Sequence, residues 1–193
     1  MEVLQDTYKD TKIGRIPKDW EVNLFGNFVE IKSGFGFKKD DYSENGFRLL
    51  RIDNVTYGKI IWNNIAHIPF SFEEKHKDLV LSSGDILLAL NRPITNNQLK
   101  IGRITKNDLP SILYQRVGKL SSSSQELRDD FLYYLSKYFI YFFVQKSSVG
   151  SDQPFINLTS LRKMKVPIPS LTEQQKIAAI LSTVDEQIST TDK

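Results

Sequence analysis

Apolar residues recur at intervals of four, three and four in the last part of the chain. This spacing is typical of a helix with a heptad seam, which we expect to be formed by Ile177, Leu181, Val184 and Ile188. Thr172 and Gln175 are spaced for a capping box at its start. A seam flanked by polar residues needs a partner surface, which could be the chain's own domain, a second copy of the chain or another protein.

A second long helix is predicted from Leu127 to about Lys146, where apolar and aromatic residues occur almost all round. Ser123 and Glu126 are spaced to cap it. Strand patterns come before this helix, at Phe47–Ile52, Lys59–Trp62, Ile86–Leu90, Lys100–Thr105 and Ser111–Leu120. Strands followed by a large packed helix predict an α+β fold, with a mixed or antiparallel sheet packed by the long helix.

These patterns divide the chain into three parts. Residues 1–19 are polar and predict a leader that lies on the surface or frays, and Trp20 is expected to anchor it. Residues 20–170 are expected to form the main domain. Residues 171–193 are expected to form the seam-bearing helix, which the sequence follows for about two heptads, so it could be the start of a longer helix.

Composition limits the chemistry of the chain. The 193 residues include no cysteine, so disulfides and thiolate sites are excluded, which suits a reducing cytoplasm. No apolar secretory segment is visible at the N-terminus. The aromatic-rich run from Phe131 to Val144 contains Lys137 and is expected to be a buried helix, not a membrane span.

Positive charge is concentrated in the middle of the chain, although the net charge is only +3. Between Ile86 and Lys119, Asp108 is the only acidic residue, against Arg92, Lys100, Arg103, Lys106, Arg116 and Lys119. A basic middle favours an anionic partner, most commonly nucleic acid. The alternative is a set of solvated surface lysines and arginines.

No pattern of an enzyme is present. His67 and His76 have no partner at metal-ligand spacing and are expected to be surface residues. The carboxylate pair that a metal-dependent nuclease needs is missing beside Glu73 and Glu74. We therefore expect no catalytic residues, no metal and no cofactor.

Four segments together resemble the specificity subunits of Type I restriction–modification systems. They are IGRIPKDWEVNLFGNFVEIKSGFGF, LSSGDILLALNRP, YQRVGKL and PFINLTSLRKMKVPIPSLTEQQKIAAILSTVDEQI, and the last is the most specific. The resemblance extends over nearly the whole chain from Ile13.

The resemblance implies a noncatalytic, cytoplasmic protein that recognises double-stranded DNA. Members of this family carry two target-recognition domains, each followed by a conserved helix, and the two helices pair as an antiparallel coiled coil. Each domain reads one half of a split sequence, and the helices set the gap. Methylation (M) and restriction (R) subunits dock on this frame. This sequence has one such domain and the start of one helix, so it could be a half-subunit that pairs as a homodimer, a truncated form or a fragment.

Base reading requires donor and acceptor side chains on loops or strand ends. We expect such residues in three clusters, with the lysines mostly holding phosphates. The first cluster is Lys32, Phe35, Lys38 and Lys39 with Arg51 and Asn54. The second is Asn91, Arg92, Thr95, Asn96, Asn97, Gln98 and Lys100 with Gln115 and Arg116, and the third is Ser148, Ser151 and Gln153.

Structural roles compete for several of these residues. Phe35 and Phe37 could belong to the core, Asn96 and Asn97 could build a turn, and Gln115 and Arg116 could tie strands together. A different function also remains open at this point: a protein-interaction adaptor or decoy that acts mainly through its C-terminal helix.

Overall fold

A computed structural model describes residues 7–147 and 155–191 of the chain. Its strands are β1 (Tyr8–Thr11), β2 (Gly14–Pro17), β3 (Glu21–Leu24), β4 (Val29–Ser33), β5 (Phe47–Leu50), β6 (Tyr57–Gly58), β7 (His67–Ile68), β8 (Ile86–Ala89), β9 (Ile94–Thr95), β10 (Gln98–Leu99), β11 (Ile101–Arg103), β12 (Ser111–Leu113), β13 (Val117–Ser122) and β14 (Lys165–Ile168). Its helices are α1 (Glu73–His76), α2 (Asp129–Ser147), α3 (Leu158–Arg162) and α4 (Leu171–Thr191). Helices and mixed sheets confirm the predicted α+β class.

The chain divides into two compact units. Unit 1 contains residues 1–30, 122–139 and 159–193, and unit 2 contains residues 31–121 and 140–158. The expected single domain over residues 20–170 is therefore shared between two units, and each unit is assembled from separate stretches of the chain.

In unit 1, β1 and β2 form an antiparallel hairpin in which Ile16 is buried. Residues 1–19 were expected to lie on the surface or fray, and the strand ladder orders residues 8–17 while most of their side chains stay exposed or half-buried. Trp20 follows it and donates a hydrogen bond from Nε1 to Oε1 of Glu173 (3.1 Å), which ties it to α4. β3 pairs antiparallel with β14 through four residue pairs.

Both predicted capping boxes in unit 1 are wrong in their position. The side chain that precedes α4 is Ser170, whose Oγ donates to Oε2 of Glu173 (2.7 Å), so the helix begins before Thr172. At the start of α2, the backbone N–H of Glu126 bonds to Oγ of Ser124 (3.1 Å), and the helix begins only at Asp129. Pattern spacing found the helices but not their first residues, because several Ser and Thr residues compete for each cap.

Unit 2 is built around β8, whose four residues are all buried. β8 lies between β13 and β11 in a five-stranded sheet of order β4-β13-β8-β11-β6, as expected for its continuous apolar run. A three-stranded sheet of order β12-β5-β7 adds further core residues, including Leu49, Leu50 and Ile112.

Two strand predictions in unit 2 are corrected. Lys59–Trp62 is not a strand, and an isolated bridge between Val55 and Ile60 replaces it. The predicted strand Ser111–Leu120 is interrupted after Leu113 and resumes at Val117. Arg116 has a φ of +67°, which an extended strand does not allow, and so it turns the chain.

Both histidines are more enclosed than predicted. The ring of His76 lies 4.9 Å from that of Phe35, 5.1 Å from that of Phe37 and 5.9 Å from that of Phe72. His67 lies in β7 and pairs with Arg48 of β5. His76 is half-buried and also packs against an aromatic cluster, a contact that the expectation of surface histidines did not include. No helix among the described residues is long and apolar enough to cross a membrane.

Candidate nucleic-acid interface

Two arginine-bearing turns meet at one end of the five-stranded sheet in unit 2. Leu90, the residue after β8, donates its backbone N–H to the carbonyl of Arg116 (2.9 Å), just before β13. Arg92 and Arg116 both have positive φ, 44° and 67°, and both are exposed. The left-handed backbone costs a non-glycine residue roughly 1–2 kcal/mol. Both arginines thus occupy strained turns from which their side chains extend into solvent.

A short hairpin leaves the same end of the sheet. Thr95 of β9 pairs with Gln98 of β10, and Asn96 and Asn97 between them have φ values of 52° and 57°. Two successive left-handed residues make the turn type that asparagine favours in tight hairpins. The alternative that Asn96 and Asn97 build a turn is therefore confirmed, and their side chains are nevertheless exposed, as are those of Thr95 and Gln98.

A backbone hydrogen bond closes the base of this hairpin, next to the turn that carries Arg92. Lys100 donates its N–H to the carbonyl of Pro93 (2.7 Å). Asn91 is half-buried, and its Oδ1 has no hydrogen-bond partner among the described residues. The second predicted cluster is thus brought together as one surface, which we call the strand-end surface and define as Asn91–Lys100 with Gln115 and Arg116.

The glycine-flanked Phe35 lies beside this surface. Gly34 donates its N–H to the carbonyl of Val117 (3.1 Å), and Gln115 donates its N–H to the carbonyl of Phe35 (3.0 Å). A Cβ atom at Gly34 would lie 2.2 Å from the carbonyl oxygen of Tyr114, so only glycine permits this approach. Phe35 is 48% exposed, whereas Phe37 is buried in the core. The core alternative is therefore confirmed for Phe37 only.

The structure argues against Asn54 as a base-reading residue. Its side chain is 2% exposed; Oδ1 accepts from the N–H of Arg51 (2.8 Å) and Nδ2 donates to the carbonyl of Ile61 (2.9 Å). Arg51 in turn donates from Nη2 to the carbonyl of Asn64 (2.6 Å). Both side chains hold loops of unit 2 in place, which leaves Asn54 no group to offer to a base.

The lysines of the first cluster lie in different surroundings. Lys32 is half-buried and forms an ion pair with Asp78 (3.1 Å), and this hydrogen bond and charge hold the pKa of Asp78 below its ordinary value. Lys32, Phe35 and His76 line an open pocket of about 350 Å³. Lys38 and Lys39 are exposed at a single helical turn over Lys39–Asp41, where a phosphate could reach them.

The third predicted cluster, Ser148, Ser151 and Gln153, lies outside the described residues. The chain is described again from Phe155, which forms a bridge with Asn91, and Ile156 donates its N–H to the carbonyl of Leu90 (2.8 Å). Phe155 is exposed and was missed by sequence reasoning. In the sequence, Phe155 is marked only by its position after a polar segment and Pro154. That position does not indicate that it pairs with Asn91.

Helix α4 has two separate faces. In unit 1, Gln174 and Ala178 are buried, whereas the predicted seam residues Leu181, Val184 and Ile188 are 38%, 44% and 55% exposed and Ile177 is half-buried. At 100° per residue, the centres of the two faces lie about 70° apart around the helix. The seam therefore remains available after α4 has packed on its own unit.

A group of three or more metal-ligating side chains is absent from the described residues.

Comparison with known proteins gives the family. A family model described as the Type I restriction modification DNA specificity domain matches residues 17–193. The chain is 44% identical over 184 residues to the Type I restriction enzyme MjaVIII specificity subunit of Methanocaldococcus jannaschii, covering 94% of this chain and 43% of that protein. It is 33% identical over 181 residues to the EcoAI specificity subunit of Escherichia coli, covering 92% of this chain and 30% of that protein.

Solved structures agree at the level of the fold. The HsdS subunit from Thermoanaerobacter tengcongensis aligns with a TM-score of 0.60 at 17% identity, covering 97% of this chain and 42% of that chain. A chain from a type I R-M system aligns with a TM-score of 0.67 over the same share of this chain. The chain spans less than half the length of these relatives. With the family model matched from residue 17 to residue 193, the chain belongs to the Type I restriction–modification DNA specificity domain family.

Proposed function

We propose that this chain is a noncatalytic subunit of a Type I restriction–modification enzyme that recognises one half of a split DNA target and docks the methylation and restriction subunits. The observation that carries the proposal is the strand-end surface, where Arg92, Arg116 and an exposed amide-rich hairpin are gathered on short, backbone-closed turns. The named relatives are specificity subunits, which supports the same role.

The chemistry of the surface fits the edges of base pairs. Arginine binds guanine through two parallel hydrogen bonds, and asparagine or glutamine binds adenine in the same way. Arg92, Arg116, Asn96, Asn97 and Gln98 supply these groups from positions that are exposed. Because the turns close through backbone hydrogen bonds, little side-chain capacity is used up by the fold itself.

Phosphate contacts complete the proposed interface. Lys38, Lys39 and Lys100 have ammonium groups suited to phosphate oxygens, and such contacts carry affinity and not sequence. Phe35 is assigned to the same interface, and Phe155 adjoins it through its bridge to Asn91.

The exposed seam of α4 supports a partner for this helix. Leu181, Val184 and Ile188 would pair with the helix of a second recognition domain, in the same subunit or in a second copy of the chain. In this proposal catalysis belongs to the methylation and restriction subunits, and the assembled enzyme acts on DNA in the cytoplasm.

The test is binding of the chain, assembled with its methylation subunit, to duplexes that contain the target selected by the wild-type complex. Arg92→Ala with Arg116→Ala should abolish the preference for the target over unrelated DNA, and Lys100→Ala should lower the slope of log affinity against log salt by about one unit. The control is Arg15→Ala with Lys163→Ala, which removes the same charge from exposed positions outside the strand-end surface. An unchanged target preference in the Arg92/Arg116 double variant would contradict the assignment.

The exposed seam also supports a second function, an adaptor or decoy that acts mainly through α4. The two functions differ in what Leu181→Glu with Val184→Glu should do. An adaptor loses its partner and has no DNA preference to lose, whereas a specificity subunit retains half-site contacts and loses recognition of the two halves together.

A further inference from the structure

The start of α4 is held by one buried amide. Gln174 has no exposed surface, and its Oε1 accepts a hydrogen bond from the N–H of Arg128 (2.9 Å). Its Nε2 donates to the carbonyls of Glu126 (2.7 Å) and Pro169 (2.9 Å). One N–H and two carbonyls fix which end of the amide is oxygen and which is nitrogen, so every polar atom of the side chain except one lone pair is used.

These contacts join the beginnings of two long helices in unit 1. Arg128 directly precedes α2, and its carbonyl accepts the N–H of Leu132 (2.8 Å), which makes Arg128 the first residue bonded into that helix. Gln174 belongs to the first turn of α4. The amide therefore accepts from the N–H of the residue before α2 and donates to the chain before each helix, and it fixes the first turn of α4 against the start of α2.

Two other polar contacts of α4 in unit 1 constrain its direction less than Gln174 does. Lys137 and Asp185 form an ion pair (3.3 Å), but both side chains are more than 40% exposed, and exposed pairs contribute little. Trp20 bonds to Glu173 one residue before Gln174 and so acts at the same end of the helix. Gln174 is therefore the fully enclosed polar contact among these three, and it lies at the base of α4.

A small change of angle at the base matters at the far end. Twenty-one residues of helix extend about 32 Å. A tilt of about 10° at the base displaces the other end by about 5.5 Å, which exceeds the roughly 3.4 Å rise of one DNA base pair. The exposed seam lies in the later part of α4, so a helix paired with the seam would be displaced together with α4.

We propose that Gln174 is a positioning residue that sets the direction in which α4 leaves unit 1, and through that direction the gap accepted between the two halves of the DNA target. The consequence for the gap rests on the proposed function, whereas the consequence for the helix direction does not. Gln174 touches neither base nor phosphate in this proposal and acts only through α4.

The first measurement is made without DNA on the full chain. Because the sequence has no cysteine, Tyr138→Cys and Thr183→Cys accept one spin label each on α2 and α4. Pulsed electron resonance should give one narrow distance for the parent chain and for Gln175→Ala, an exposed neighbour of the same type. Gln174→Met keeps the length of the side chain and removes all three hydrogen bonds, and it should broaden or shift the distance distribution.

The second measurement uses the complex with the methylation subunit and duplexes whose half-sites are one base pair closer or farther apart. The parent chain and Gln175→Ala should prefer one gap, and Gln174→Met should lose about tenfold of that preference. Substitution of single bases within a half-site should cost all three proteins the same factor. A role in stability alone would lower the amount of folded protein and leave the ratio between gaps unchanged.

The outcomes separate the two proposals. If the parent complex shows no target preference, the proposed function fails, and the spin-label distances still decide the role of Gln174. If Gln174→Met keeps both the narrow distance and the gap preference, the positioning role is overturned. Should Gln174→Met not fold, Gln174→Glu preserves the acceptor for Arg128 and removes the donor to both carbonyls, and the same two readouts apply to it.

Discussion

Two buried strands of unit 2, β5 and β8, are each followed by an arginine and an asparagine, and the two pairs have opposite surroundings. After β5, Asn54 is buried and bonds to backbone on both sides, and Arg51 donates to a carbonyl. After β8, Arg92 is exposed at a positive φ, and Asn91 has an amide oxygen without a partner among the described residues.

The difference comes from how each turn is closed. The turn after β5 is a single 3-10 turn over Ile52–Asn54 that is capped by the side chain of Asn54. The turn after β8 is closed by backbone bonds, from Leu90 to Arg116 and from Lys100 to Pro93, which leaves the exposed side chain of Arg92 available, whereas the amide oxygen of Asn91 is buried. The arginine after β5 therefore serves the fold, whereas the arginine after β8 is exposed and free to contact a ligand.

The largest effect expected from this comparison is on stability. Asn54→Ala should lower the free energy of unfolding by about 2–3 kcal/mol, because it removes both hydrogen bonds of a buried amide and leaves the part-buried N–H of Arg51 and carbonyl of Ile61 without this partner. Asn91→Ala should cost less than about 1 kcal/mol, since it removes no hydrogen bond of the amide oxygen. Urea denaturation of both variants measures the difference, and equal losses would break the comparison.

The second effect separates the arginines by binding. Arg92→Ala should weaken binding to the target by about 1–3 kcal/mol and relax the requirement at one base, with little change in unfolding. Arg51→Ala should destabilise the fold while the target preference of the folded fraction remains. Competition between target variants in the assembled complex measures this, and a relaxed base position in Arg51→Ala would place Arg51 at the DNA after all.

A third and smaller effect concerns the strained backbone of Arg116, whose φ is positive. It tests whether this strain lowers the stability of the fold. At a φ of +67°, glycine is relaxed and alanine is strained. The free energy of unfolding of Arg116→Gly should therefore be about 1 kcal/mol higher than that of Arg116→Ala. Both variants should lose the same DNA contact. Thermal or urea unfolding compares the two, and equal stability would show that the turn relaxes without cost.

The smallest expected effect is on stability at acid pH and concerns Asp108, another polar side chain that is buried in the fold. Burial raises the pKa of Asp108, but hydrogen bonds from Thr105 and Trp62 outweigh it, and the pKa is lower than ordinary. A lowered folded-state pKa contributes stability that is present above the unfolded value and is lost as pH falls through the folded one. Below about pH 4, wild-type stability should therefore fall more steeply than that of Asp108→Asn. Parallel curves would mean that Asp108 is not linked to folding.

Periodicity predicted the long elements correctly and the connections poorly. The runs that became β8, α2 and α4 were identified because each has one strong apolar pattern over its whole length. The break between β12 and β13 was missed, since Tyr114–Arg116 has no glycine or proline to announce a turn. The β1–β2 hairpin was missed because its strands, unlike β8, are mostly exposed and so show no run of apolar residues.

The candidate site shows the same limit. Residue types predicted the strand-end surface, where polar side chains follow a buried strand. They could not separate Arg51 and Asn54 from Asn91 and Arg92, because hydrogen bonds to Ile61 and Asn64 depend on a loop whose path the pattern does not give. Gln174 was passed over for a similar reason: its partners at Glu126 and Arg128 are more than forty residues away.

The ladder between β3 and β14 has a thermodynamic consequence for the stretch of chain it encloses. It joins Glu21–Leu24 to Lys165–Ile168 by four residue pairs inside unit 1. All of unit 2 therefore lies in the stretch of chain between β3 and β14, and the ends of this stretch are held together by strand pairing. Lengthening such a loop costs only a logarithmic entropy, about 0.6 kcal/mol for each doubling. Insertions in the exposed connections between the strands of unit 2 should consequently cost little loop entropy and leave the β3–β14 ladder in place.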